Sequence, residues 1–167
     1  MGARLLLAIG LIASLGGCGL KPLYQGGASG VAAQRLAGVE IAPIPGKAGW
    51  LVRNALAERL DATAGGAPKY RLTVELDDRI EGLGVRANDN MTRERRTVRA
   101  RFQLREIAAD PKAAPLLDET TSSNVGLDVT SSEYATVAAE DTALERLAGI
   151  IADRIIGRVA IDATRGQ

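Results

Sequence analysis

Histidine is absent from the 167 residues, and cysteine occurs once. Without imidazole the chain lacks the commonest general base, the commonest neutral metal ligand and every Ser-His or Cys-His catalytic arrangement. The lone Cys18 cannot close an intramolecular disulfide. Aromatic residues are scarce too, with one Trp, three Tyr and one Phe, so any core must be aliphatic. No apolar run is long enough to span a bilayer: Leu5 to Leu15 is uncharged but covers only eleven residues. Neither sign of charge dominates, since 21 basic side chains face 20 acidic ones, and that balance argues against a general nucleic-acid binder. The expectation is a protein that is not an enzyme, with no cofactor and no metal. A carboxylate-based hydrolase is the enzymatic rival; it would need two acids converging in a cleft, and no pair in the sequence marks one.

What is present begins at the N-terminus. Arg4 is followed by the apolar run and then by Leu15-Gly16-Gly17-Cys18. Small residues before a cysteine resemble the lipobox of bacterial lipoproteins, so residues 1–17 read as a removed signal peptide and Cys18 as the lipid-bearing first residue. An ordinary secretory signal or a buried apolar helix would place no special demand on Cys18. With more than one acyl chain, each buried methylene contributing roughly 0.8 kcal/mol, such an anchor is stable without a transmembrane helix. Removing Arg4 leaves basic and acidic side chains equal in number. Residues 18–38, rich in Gly, Ala and Ser, read as a flexible tether. Residues 39–167 are long enough for one domain with a real core.

Within that domain Val39 to Pro45 reads as a short edge strand, limited by its prolines. A helix is expected from Gly46 to about Thr63, with Val52, Leu56 and Leu60 on one face, stopped by Gly65-Gly66 and Pro68. Tyr70, Leu72, Val74 and Leu76 alternate with polar residues, the two-residue period of a half-buried strand. Gly82-Leu83-Gly84 and Asn88-Asp89-Asn90 are expected to reverse the chain into a second strand. There Val98, Ala100, Phe102 and Leu104 share one face and the intervening residues the other. A weaker strand is expected from Leu116 to Asn124. A last helix from about Thr136 to Ile161 carries the stripe Leu144, Ala148, Ile151, Ile155 and Val159. The order is β-α-β-β-β-α: an α/β (α+β) two-layer sandwich with two helices on one face of a four-stranded mixed sheet.

Several segments together resemble the LPS-assembly lipoprotein family, LptE. They are Cys18-Gly19-Leu20-Lys21-Pro22-Leu23-Tyr24, Ile44-Pro45-Gly46-Lys47, Glu81-Gly82-Leu83-Gly84-Val85-Arg86 with Thr92-Arg93, and Ser132-Glu133-Tyr134-Ala135 running into Ala139-Glu140-Asp141-Thr142-Ala143. The resemblance implies the same two-layer fold and attachment to the periplasmic side of the outer membrane. It also implies a non-enzymatic role as a plug in the LPS-inserting β-barrel LptD, assisting its assembly and the delivery of lipopolysaccharide. An auxiliary lipoprotein of a periplasmic, ABC-type lipid-transport system would share the anchor and a similar sandwich.

Charge is unevenly placed along the chain. Seven arginines lie between Arg86 and Glu106 against three acids. Arg95, Arg99, Arg101 and Arg105 share one strand parity, opposite to Phe102. Because the guanidinium fork binds phosphate in two places, these four are candidate contacts for lipopolysaccharide phosphates. The competing reading is a solvated strand face paired with Glu75 and Asp77 on the neighbouring strand. From Asp110 to Glu145 eight acids meet only Lys112; they suit a basic lumen wall, or simply solvent and a helix start. Asn88-Asp89-Asn90 reads as a turn, since the spaced acids of a calcium loop are missing. Gly82-x-Gly84 lacks the third glycine and following helix of a dinucleotide loop. Trp50 and Tyr134, near helix starts, are expected to be core anchors.

Overall fold

The computed structural model describes residues 31–61, 67–85, 91–110, 112–129 and 132–165. The expected signal segment, Cys18, the tether before Val31, Gly65-Gly66 and the Asn88-Asp89-Asn90 turn lie outside them. In chain order the elements are α1 (Val31–Ala37), β1 (Val39–Ile41), α2 (Gly46–Asp61), β2 (Tyr70–Val85), β3 (Met91–Glu106), β4 (Leu117–Asp128) and α3 (Glu133–Arg165). The strands form one open sheet in sequence order, with β1 parallel to β2 and the other pairs antiparallel. The expected mixed sheet with two long helices on one face is present.

Parity decides which face is covered. Leu72 and Val74 on β2 and Val98, Ala100, Phe102 and Leu104 on β3 are all buried. They meet Val52, Leu56 and Leu60 of α2 and the α3 residues Leu144, Leu147, Ala148, Ile151, Ile155 and Val159 in a single core. Phe102, the only phenylalanine, is fully buried at its centre. Burying such a side chain contributes roughly 1.5–3 kcal/mol, so this row fixes the register of the hairpin.

The two long helices run parallel. Lys47 of α2 pairs with Asp141 of α3 at 2.6 Å, and Arg59 pairs with Asp153 at 2.6 Å, each partner twelve residues further along its own helix. At 1.5 Å per residue the two pairs are about 18 Å apart and hold the helices in one register. By the same measure α2 is about 24 Å long and α3 about 50 Å. The β2–β3 hairpin, 16 residues per strand, is also about 50 Å long. Thus α3 spans the hairpin and α2 covers only its first half.

Four expectations are corrected. The segment 31–38 is not tether: α1 docks on α3, with Ala33 and Leu36 buried three residues apart. Its small residues are good helix formers, and packing stabilises a helix too short to stand alone. β1 ends at Ile41 rather than Pro45, because Ile44 leaves the sheet to enter the core. Gly82-Leu83-Gly84 does not end β2; the strand continues to Val85 by register shifts at Gly82/Gly84 and Gly84/Val85, a bulged pairing. Trp50 is 61% and Tyr134 91% exposed, so neither anchors the core. Trp50 stands two residues from Val52 and therefore on the opposite side of α2, and Tyr134 sits on the turns of α3 that extend past α2.

Gly49 shows how closely α2 is seated. A Cβ there would lie 2.5 Å from the Ile44 carbonyl oxygen, a backbone atom that cannot swing aside. Gly49→Ala is therefore expected to lower stability by about 1–3 kcal/mol, the usual cost of overpacking, and to shift the urea midpoint down without changing its slope. An unchanged midpoint would show that Ile44 moves freely.

Candidate functional site

Because the helices occupy one face of the sheet, the other is a polar plane made by residues of opposite parity. β3 supplies Arg93, Arg95, Arg99, Arg101 and Arg105, β2 supplies Glu75, Asp77, Arg79 and Glu81, and β4 supplies Asp118 and Asp128. The four arginines expected to share a face do so, opposite the buried Phe102. They do not converge: from Arg95 to Arg105 the strand rises about 34 Å.

Their surroundings differ. Arg101 grips Asp118 with both ends of its fork, Nε donating to Oδ1 at 3.0 Å and Nη2 to Oδ2 at 2.8 Å, while Gln103 donates to the same carboxylate at 2.8 Å. The hydrogen bond to Asp118 raises the Arg101 pKa, and the bonds from Arg101 and Gln103 hold the Asp118 carboxyl below the ordinary aspartate value of 3.8. Arg105 donates to the Ala113 carbonyl at 2.6 Å. The side chains of Arg95 and Arg99 form no ion pair or hydrogen bond among the described residues. Asp77 stands opposite Arg99 in the ladder but accepts from Arg79 instead, at 2.9 Å. Arg99 and Arg101 line a shallow depression of about 300 Å³ with Glu75, Asp77 and Thr120.

An ion pair that parity reasoning passed over lies on the helix-covered side. Arg96 Nε donates to Asp78 Oδ1 at 2.9 Å and Nη2 to Oδ2 at 2.6 Å, while Nη1 donates to the Glu140 carbonyl of α3 at 2.8 Å. The two side chains are only 11% and 23% exposed. The Asp78 hydrogen bond raises the Arg96 pKa against the opposing cost of burial. The signal was available: Arg96 shares the parity of Val98 and Phe102, and Asp78 that of Val74 and Leu76. The eight acids between Asp110 and Glu145 scatter. Asp118 faces the polar plane, Glu119 pairs with Arg158 at 3.4 Å, and Asp141 pairs with Lys47. Among the described residues no cluster of three metal-ligating side chains occurs, and no helix is long and apolar enough to cross a membrane.

The LptE family, described as lipopolysaccharide-assembly, matches residues 36–159, which include every strand, all of α2 and most of α3. The chain belongs to the LptE family. Its role is accordingly in lipopolysaccharide assembly. The LptE-type fold recurs in solved structures. A lipoprotein from Caulobacter crescentus CB15 is 25% identical, with a TM-score of 0.65 over 83% of this chain and 98% of that one. The rare lipoprotein B from Shewanella oneidensis is 14% identical, with a TM-score of 0.58 over 76% and 96%. A minor lipoprotein from Acinetobacter baumannii is 15% identical, with a TM-score of 0.59 over 75% and 92%. No curated protein matches the sequence.

Two predictions follow from the ion pairs of this LptE chain. Asp78→Ala strands the Arg96 charge where water reaches it poorly and is expected to cost about 2–4 kcal/mol in chemical unfolding. Asp78→Asn, which keeps an acceptor, should recover part of that. Equal losses would mean that the pair is not stabilising through its hydrogen bonds. Asp118 has its pKa lowered in the folded state, so its contribution is full above the unfolded value near 3.8 and fades as pH falls through the folded value. In an NMR titration Arg101→Gln should move the Asp118 midpoint upward; an unmoved midpoint would exclude Arg101 as the cause.

Proposed function

We propose that the chain is an outer-membrane lipoprotein, anchored on the periplasmic side through acylated Cys18 after removal of residues 1–17. In this reading it binds and plugs the LPS-translocating barrel LptD, assists its assembly and helps to deliver lipopolysaccharide to the outer leaflet, with no chemistry of its own. The observation that carries the reading is the family match across residues 36–159. The names of the similar solved structures, all lipoproteins, support the anchor. The polar plane of the sheet supports the plug, because the interior of a transmembrane barrel is polar and can receive such a face without desolvating apolar surface.

The site reading narrows with the geometry. Arg101 and Arg105 already have partners, whereas Arg95 and Arg99 have their forks available for phosphate oxygens. Standing about 14 Å apart along β3, they would meet separate phosphates rather than clamp one.

Depleting the protein is expected to lower surface lipopolysaccharide and to delay maturation of the barrel; unchanged levels of both would end the reading. The barrel should also co-purify in stoichiometric amount, and recovery with an inner-membrane transporter instead would favour the auxiliary-lipoprotein alternative. For the arginines, a folded Arg95→Gln/Arg99→Gln variant should bind lipopolysaccharide about tenfold more weakly, and Arg101→Gln much less so, given charge-assisted bonds of about 1.5–3 kcal/mol. Unchanged binding in the double variant would remove the phosphate role.

A further inference from the structure

The two edges of the sheet are finished differently. On β4, Arg154 of α3 donates to the Ser122 carbonyl and Arg158 pairs with Glu119, so helix side chains reach over that edge. At the other edge β1 covers only Tyr70 to Leu72 of the 16-residue β2. The Tyr70 N–H and the Leu72 carbonyl both point toward β1, bonding Gly38 and Ala42 at 2.9 Å. Main-chain groups alternate sides along a strand, so those of Val74, Leu76, Asp78 and Ile80 point out of the same edge. Among the described residues none of them has a hydrogen-bond partner. Asp78 makes the opening visible: the residue is exposed although its side chain is only 23% exposed, so its main chain meets solvent.

We propose that this edge of β2, from Leu76 to Ile80, accepts an extended peptide segment of another protein whose residues alternate between apolar and basic. The main chain supplies the ladder, and the two faces of β2 set the alternation. On the helix side an added strand would lie beside partly buried Leu76 and beside Ile80, which is 41% exposed, so apolar side chains fit there. On the polar side it would lie beside Glu75, Asp77, Arg79 and Glu81, of which Asp77 and Arg79 neutralise each other at 2.9 Å. Glu75 faces Arg101 in the ladder, but Arg101 is held by Asp118 on the far side, and neither Glu75 nor Glu81 has an ion pair among the described residues. With Asp77 held by Arg79, the acids of this edge left to meet a neighbour are Glu75 and Glu81, and basic side chains opposite those two positions are what the next strand would supply. A second copy of β2 fits less well: antiparallel self-pairing centred on Asp78 sets Glu75 opposite Glu81 twice, and although it also sets Asp77 opposite Arg79, those two are already paired within each strand. This inference does not require the barrel reading.

The test uses the full-length protein in detergent micelles and a blocked peptide of about nine residues in which arginine and valine alternate. Binding should slow amide hydrogen exchange at Leu76, Asp78 and Ile80 by at least about tenfold, while Glu75 and Asp77, already bonded to β3, change little. Ile80→Pro removes one edge donor that β3 does not use, so the hairpin should remain folded and the peptide bind about tenfold more weakly. Glu75→Lys/Glu81→Lys should weaken binding similarly and favour a peptide in which glutamate replaces arginine. Three results would each overturn the proposal. The first is binding without slowed exchange at the edge amides. The second is equal slowing by a peptide of the same composition with its arginines grouped. The third is slowing that rises with protein concentration alone, which would identify a second copy as the occupant.

Discussion

The burial of Val98, Ala100, Phe102 and Leu104 of β3 beneath the apolar stripe of α3 is the contact on which the other features of the molecule depend. Side chains alternate faces with a period of two, so fixing this row fixes the orientation of the residues on the three long strands as far as the bulge at Gly82/Gly84. A slip of one position would place Arg95, Arg99, Arg101 and Arg105 under the helices, an arrangement that burial of unpaired charge forbids. The polar plane is thus the necessary complement of the core. The surface ion pairs on it contribute little each, since exposed pairs are generally worth about 0–1 kcal/mol.

Length is the second constraint. A helix advances 1.5 Å per residue and a strand more than twice as much, so sixteen residues of α2 cannot cover sixteen residues of β2. Where that cover ends, the inward row of β2 changes character, from Leu72 and Val74 through half-buried Leu76 to Asp78 and exposed Ile80. The Asp78–Arg96 pair stands at this boundary, and through Arg96 it also holds the Glu140 carbonyl of α3. A salt bridge is tolerable there because both charges are hydrogen-bonded and neither is wholly removed from water.

These constraints explain what could be read from the sequence. β2, β3, α2 and α3 are half-covered elements whose apolar period is unbroken, so their type and buried faces were legible, as was the common face of the four arginines. β4 was fainter because an edge strand under one helix needs little apolar surface; Thr121 and Ser123 occupy its inward positions and are only partly buried. α1 was invisible because its evidence is a docking contact of Ala33 and Leu36 on α3, far away in the chain. Trp50 and Tyr134 were misplaced because residue type outweighed helical phase. Which arginines are engaged was beyond the sequence, since Asp118 and the Ala113 carbonyl reach them only through the β3–β4 pairing.

The open edge of β2 bears on how such a fold can meet a barrel. Strands in a closed barrel wall have both edges paired, so the wall offers no main-chain groups to a guest. If this LptE chain sits in the lumen, the polar plane can meet the wall only through side chains, and any ladder at β2 must come from a segment that is not part of the wall. The two surfaces therefore have separable uses. The plane suits a broad, wet contact in which individual ion pairs matter little. The edge suits one extended segment, selected by main-chain bonds and by the alternation that Leu76, Ile80, Glu75 and Glu81 impose.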